Sequence, residues 1–272
     1  MSVSGRGTGD TGVSSVLRFH GVEANSVGGL GVSIDMAGTT CLGPTNATFA
    51  MDPAQGLARL GTGTVSDPIE DIVTSNNPLQ LSSSGLLVDG TDAPQVAFNS
   101  FVESLTFVIQ WTGMAQTSTD RVLFRAVSLI DGSFAELHVN AANLLIWNVN
   151  GTAVDLGAGA DDGGTHRAAV EYDLGTNVSG SFDGGTPVST AGALPPFDIG
   201  VFWLGSNAGA DQCNCNIQAP VFILPLPAGL TDAELQDASN LTTQFICGPF
   251  PDSMILADFA AADFSAADFF AG

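Results

Sequence analysis

The segment HRAAVEYDLGTNVSGSFDGG, residues 166–185, sets His166 ahead of two carboxylates two positions apart, Glu171 and Asp173. On an extended chain, side chains two apart share a face, so both acids stand where an acid/base strand would hold them. A second cluster, VDLGAGADDGG, gathers Asp155, Asp161 and Asp162 in a glycine-rich stretch that could offer several oxygen ligands to calcium. With Trp147 or Trp203 as a stacking platform, Asp161 and Asp162 could equally orient a sugar. The alternative is structural: the tryptophans belong to the core and DDGG is a solvated turn. Nucleophilic catalysis has little to draw on, because His20, His138 and His166 are the only histidines and none accompanies a serine or cysteine in an elbow sequence. Cys213 and Cys215 could give two thiolates to zinc, but a structural zinc site wants wider-spaced pairs twice over, or added histidines. Together with Cys41 and Cys247 they are too few and too uneven for a disulfide scaffold.

Chemistry at these positions depends on the elements that carry them. SLTFVIQWTG places Leu105, Phe107, Ile109 and Trp111 on one face and Thr106, Val108 and Gln110 on the other, the alternation of a half-buried strand. Comparable runs follow at 121–130, 133–140, 143–151, 166–173, 178–184, 199–207 and 217–225, separated by DG, NG, DDGG, LGTN and DGG turns. Short strands at this spacing predict an all-β fold, an antiparallel two-sheet sandwich. Within HRAAVEYD, His166, Ala168, Val170 and Tyr172 take one face and Arg167, Ala169, Glu171 and Asp173 the other. After the LGTN turn, Val178, Gly180 and Phe182 return beneath Val170 and Tyr172, so the apolar face is expected inward and the acids outward. One helix is expected near 231–238, where Thr231 and Glu234 have the spacing of a capping box.

The chain divides into a Gly/Ser-rich arm (1–15), a β-rich N-terminal extension (16–85), the sandwich (86–245) and a C-terminal tail (246–272). In the extension, VLRFHGVEA, GLGVSIDMAG and NATFAM are strand-like and DPIEDIV is a short helical turn. The tail repeats ADFAA, ADFSA and ADFFA, with Phe259, Phe264 and Phe269 five apart, a period of neither helix nor strand. It resembles the pentapeptide repeats of quadrilateral β-helices but is too short to bury its own phenylalanines. Phe259, Phe264, Phe269 and Phe270 are therefore expected to anchor the chain on another subunit or on its own sandwich.

A net charge of -22, from 28 acidic residues against 6 basic ones that are all arginine, argues against nucleic acid as a partner. Solubility through mutual repulsion is the plain meaning of such acidity. Hydrophobic residues at 44 % and charged ones at 12 % belong to a folded chain, not a disordered one. No stretch approaches the ~20 apolar residues of a membrane span. The start MSVSGRGTGDTGVSS lacks a signal-peptide core, so synthesis in the cytoplasm without classical export is expected.

The order LLVDGTDAP, SLTFVIQWTG, HRAAVEYD-turn-VSGSFDGG, VFWLGSN, a closing strand and LPAGLTDAELQDAS resembles the concanavalin A-like, laminin G-like jelly roll, over roughly residues 86–240. That family includes glucanases, legume-type lectins, adhesion modules and bacteriophage virion proteins. Its glucanases carry an E-x-D-x-E strand whose two glutamates act as nucleophile and acid/base. Here the matching run is EYDLG, with Gly175 in the place of the second glutamate. No pair among Glu23, Glu70, Glu103, Glu136, Glu171 and Glu234 has that spacing. The resemblance therefore implies a non-enzymatic virion structural protein: a decoration, head-fibre or tail-fibre component, localised to the virion. It would be bound to other virion proteins and to its own copies through its terminal segments, with no cofactor beyond the calcium option. Host-surface polysaccharide is the further partner it implies. The alternative is a carbohydrate-binding, lectin-type receptor module, and after it a polysaccharide hydrolase of the same fold.

Overall fold

The alternating runs become strands along most of their length. A computed structural model of the chain describes residues 16–19, 22–25, 42–63, 65–102, 104–128, 130–173, 177–192, 197–224, 230–245 and 254–255. In chain order the first elements are β1 (Val16–Phe19), β2 (Val22–Asn25), β3 (Phe49–Asp52), β4 (Leu57–Leu60), β5 (Asp67–Pro68), α1 (Ile69–Ile72), β6 (Gln80–Ser82) and β7 (Gly85–Val88). Then come β8 (Gln95–Val102), β9 (Ser104–Thr112), β10 (Arg121–Val127), β11 (Phe134–Val139), β12 (Leu144–Val149) and β13 (Thr152–Ala158). The last are β14 (Thr165–Asp173), β15 (Asn177–Phe182), β16 (Val188–Ala191), β17 (Phe197–Leu204), β18 (Cys215–Leu224), α2 (Asp232–Ser239), β19 (Gln244–Phe245) and β20 (Met254–Ile255). Two antiparallel sheets form the sandwich. One has six strands in the order β13-β12-β11-β10-β17-β8; the other has ten, along the path β16-β15-β14-β9-β18-β3-β4-β5, with β7 also on β18 and β6 on β7.

Strand β18 changes partners midway. Cys215–Ile217 pair with β7 and Val221–Ile223 with β3, and the register against β9 breaks between Gln218 and Val221. Pro220, which has no N–H to give the ladder, sits in that break. Through β18 the strands β3, β4 and β5, from the segment ahead of the expected sandwich, extend the larger sheet. At Gly85 a Cβ would lie 2.2 Å from the Ile217 carbonyl oxygen, and its φ of +119° lies where only glycine is at ease.

The inner faces meet in an aromatic core. Phe107 stacks on Phe124 with ring centroids 3.8 Å apart, and Phe202 is met edge-on by Phe49 and Phe98. The Trp147 indole N–H crosses from the six-stranded sheet to donate to the Glu171 carbonyl at 2.9 Å. The β14–β15 hairpin has the expected register, Tyr172 opposite Val178, Val170 opposite Gly180 and Ala168 opposite Phe182.

Several expectations need correction. Strands β9 and β14, read as half-buried, are covered on both faces: Val108 and Ala169 pack with Ala50, Phe222, Leu235 and Ala238 in a second core beneath α2. Glu171, expected outward in solvent, is therefore only 5 % exposed, and its Oε2 accepts the Leu230 N–H. VDLGA, read as the start of a glycine-rich stretch, belongs to the edge strand β13, because it completes the ladder with β12. Cys213 and Cys215 are joined by a disulfide, which leaves no thiolate for zinc. The helix starts as read, with Thr231 Oγ1 accepting the Glu234 N–H and Glu234 Oε2 accepting the Thr231 N–H. The arm, GLGVSIDMAG, Gly175, Cys41, Cys247 and the tail phenylalanines Phe259, Phe264, Phe269 and Phe270 lie outside the described residues. Among the described residues no helix is long and apolar enough to cross a membrane.

Candidate functional site

The outer face of the six-stranded sheet is built by strict alternation. In β11, Ala135, Leu137 and Val139 are buried while Phe134, Glu136 and His138 alternate with them half-buried; in β12, Leu145, Trp147 and Val149 point inward and Leu144, Ile146 and Asn148 outward. The registers then set a continuous row across five antiparallel strands: Asn148, Glu136, Arg125, Trp203 and Gln95. Directly opposed residues on one face are close enough for side-chain contact. At ~4.8 Å between strands, Asn148 to Trp203 spans ~14 Å, roughly the length of two or three linked pyranose rings.

The polar centre of the row is a charged trio. Arg125 Nη1 donates to Glu136 Oε2, and the guanidinium lies over the Phe134 ring at 4.5 Å from its centroid. His138 Nδ1 stands 3.0 Å from Glu136 Oε1, off the line of a hydrogen bond. Burial alone would raise the Glu136 pKa, but His138 and Arg125 outweigh it and hold the carboxyl below its ordinary value. Glu136 is thus an anion at neutral pH, fixed by the Arg125 guanidinium with the His138 ring close by. Beside it, Trp203 is half-buried, and no described residue accepts its indole N–H. An aromatic plate with a spare donor, flanked by a guanidinium and the amides of Gln95 and Asn148, can stack on the C–H face of a sugar and bond its hydroxyls.

The residues expected from sequence are distributed differently. Trp203 is on this face, and Asp155 is at its margin, opposite Ile146, with Oδ1 accepting the Gly157 N–H at 2.8 Å. Trp147 is on the other side of the same sheet, fully buried, so it cannot stack on a ligand. Asp161 is buried against Arg121 at 2.8 Å, and Asp162 bonds His166 Nε2 at 2.9 Å and the Gly164 N–H. The three aspartates thus point to three different partners, and the calcium site expected of them does not assemble. Among the described residues no group of three His, Cys, Asp or Glu could hold a metal ion. Arg125, Glu136 and His138 were missed. Their signal is the shared parity of Glu136 and His138 in FAELHV, but placing Arg125 beside them takes the β10–β11 register.

His166 itself closes a clasp, with Asp183 Oδ2 at 2.7 Å from Nδ1 and Asp162 on the other nitrogen. Burial opposes charging of the ring, yet the hydrogen bonds and charges of Asp183 and Asp162 prevail and raise its pKa. A His pKa raised on folding stabilises fully below the unfolded value of about 6.5, and that contribution fades as pH rises through the folded value. The melting temperature lost on His166→Gln should therefore be larger at pH 6 than at pH 9. A loss independent of pH across that window would show that the imidazolium contributes nothing.

No family model matches the sequence, and no curated protein matches it. Among solved structures, the chain is similar to the CBM40 of Ruminococcus gnavus IT-sialidase, which was solved bound to α2,3-sialyllactose. The identity there is 14 % over 51 % of this chain and 84 % of that one, with a TM-score of 0.42. It is also similar to Trypanosoma rangeli sialidase, at 14 % identity over 60 % of this chain and 28 % of that one, with a TM-score of 0.46.

Proposed function

We propose that the chain is a non-enzymatic carbohydrate-binding module whose ligand lies across the outer face of the six-stranded sheet. The observation that carries this reading is the row Asn148, Glu136, Arg125, Trp203 and Gln95, in which a half-buried indole without an acceptor among the described residues adjoins a fixed ion pair and two amides. Trp203 supplies the stacking surface; Arg125, Gln95 and Asn148 supply donors, and Glu136 holds Arg125 in place. The non-enzymatic part of the proposal is supported by Glu171, the glutamate of the glucanase-like run, which is covered and spent on the Leu230 N–H. Hydrolysis of the glucanase type needs two carboxyl groups flanking an accessible bond.

Glycan-array screening of the intact chain, followed by calorimetry on the best ligand, tests the reading. Saturable binding is expected, and Trp203→Ala should weaken it by about 2 kcal/mol, roughly thirty-fold in Kd. Absence of binding to any glycan, or binding indifferent to Trp203→Ala, would reject it.

A further inference from the structure

On the opposite side of the molecule a cavity of about 340 Å³ opens where β18 breaks register, beneath the chain that follows α2. Its wall is apolar at Leu42, Pro220 and Phe245, with Gln244 and Asp52 also lining it and Arg167 the one cation among the described residues. Arg167 is only 5 % exposed. Its Nε and Nη2 both donate to Gln110 Oε1, at 3.1 and 2.8 Å, and Nη1 donates to the carbonyls of Asn240 and Thr243, at 2.6 and 2.9 Å. The guanidinium also lies 5.6 Å from the Phe245 ring centroid.

Every one of these partners is neutral. The acid that acts on Arg167 electrostatically is Asp183, but Asp183 Oδ1 takes the Arg167 backbone N–H and Oδ2 faces His166 Nδ1, so neither oxygen bonds the guanidinium. Of five guanidinium N–H groups, one on Nη2 has no acceptor among the described residues. Burial of the charge lowers the Arg167 pKa to about 10, against the opposing pull of Asp183. A cation held this way is costly without an anion, in a chain that otherwise carries a large excess of acids. Arg59 is buried too, but it closes on the carbonyls of Pro44, Ala47, Gly61 and Gly63 and does not line the cavity.

We infer that this cavity binds a small organic carboxylate with an apolar body: one carboxylate oxygen takes the free Nη2 proton of Arg167, and the body packs on Phe245, Pro220 and Leu42. A multiply charged phosphate fits less well, since one unused donor serves one oxygen and the chain as a whole repels polyanions. Asp52 limits affinity from the rim. Its Oδ1 is engaged by the N–H groups of Ala54 and Gln55 and its Oδ2 by Gln55 Nε2, so it is held in place near the incoming anion.

Benzoate and its neutral isostere benzamide are the probes, titrated into the intact chain and followed by saturation-transfer NMR. Benzoate should bind saturably in the roughly millimolar range of so small a ligand, at least tenfold tighter than benzamide. Arg167→Gln should abolish the difference, and Asp52→Asn should tighten benzoate several-fold by removing the repelling charge. Because Arg167 also holds the Asn240–Thr243 backbone, its variant could fail to fold, and the benzoate–benzamide contrast with the Asp52→Asn response then decides alone. Equal binding of the two probes, no saturable benzoate binding, or indifference to Asp52→Asn overturns the inference.

Discussion

Replacing Asp161 by asparagine should lower the stability of the sandwich by roughly 3–5 kcal/mol, the cost of stripping one partner from a buried ion pair. The Arg121 and Asp161 side chains are 1 % and 0 % exposed, with Nη2 and Oδ2 2.8 Å apart. Arg121 also donates to the Ala115 carbonyl and to Asn143 Oδ1, so the pair ties β10 to the loops at one end of the six-stranded sheet. Asparagine keeps the shape and removes the anion, leaving a guanidinium that water cannot reach. A urea titration would read the change as a shift in midpoint at constant slope. The pair is not fully satisfied, because among the described residues Arg121 Nε has no acceptor and Asp161 Oδ1 no donor. The joint exchange Arg121→Met with Asp161→Leu should therefore recover most of the loss, since an apolar replacement of a buried pair is often close to neutral. A chelator should leave the wild-type midpoint unmoved, because Asp161 is neutralised by arginine and not by calcium. A loss below about 1 kcal/mol, or a chelator-sensitive midpoint, would contradict this role.

The strands were legible because their alternation is local: FAELHV and LLIWNV show in sequence the same parity that the structure buries. The site was only partly legible, for reasons that are not local. In IGVFWLGSN neither parity carries a polar residue before the turn, so the sequence does not say which side faces solvent. The ladder against β8 also slips between Ile199 and Val201, where two residues of β17 span three of β8, and Ile199 is buried although it shares sequence parity with half-buried Val201 and Trp203. One extra residue on a strand inverts every side chain beyond it. The trio Arg125, Glu136 and His138 likewise depends on a shift in β10 between Val122 and Phe124 that sets Arg125 opposite Glu136. The outward placing of Glu171 failed for a third reason. Strand period fixes which face a residue takes, but it does not say what a helix sixty residues later will lay over that face.

Trp147→Ala and Trp203→Ala should separate the two tryptophans that the sequence offered as equivalent sugar platforms. Trp147 is fully buried, and its indole bonds the Glu171 carbonyl across the sandwich. Truncation opens a cavity between the sheets and strands that carbonyl, at a cost of about 3–5 kcal/mol in stability. Any glycan affinity of the surviving folded protein should be unchanged, since the indole touches the core side of the sheet. Trp203 lies on the solvent side with Phe202 and Leu204 buried beneath it, so its truncation should cost no more than about 1 kcal/mol, as for a surface change. The glycan should be lost instead. Trp147→Phe gives an intermediate control: it keeps most of the packing and removes the hydrogen bond, so its cost should fall near the 1–3 kcal/mol of one unsatisfied buried group. The two readouts, urea midpoint and glycan Kd, must move in opposite proportion for the two positions. If Trp203→Ala destabilised the chain as much as Trp147→Ala, Trp203 would be a packing residue on both sides of its ring, and the row from Asn148 to Gln95 would be a structural surface without a ligand.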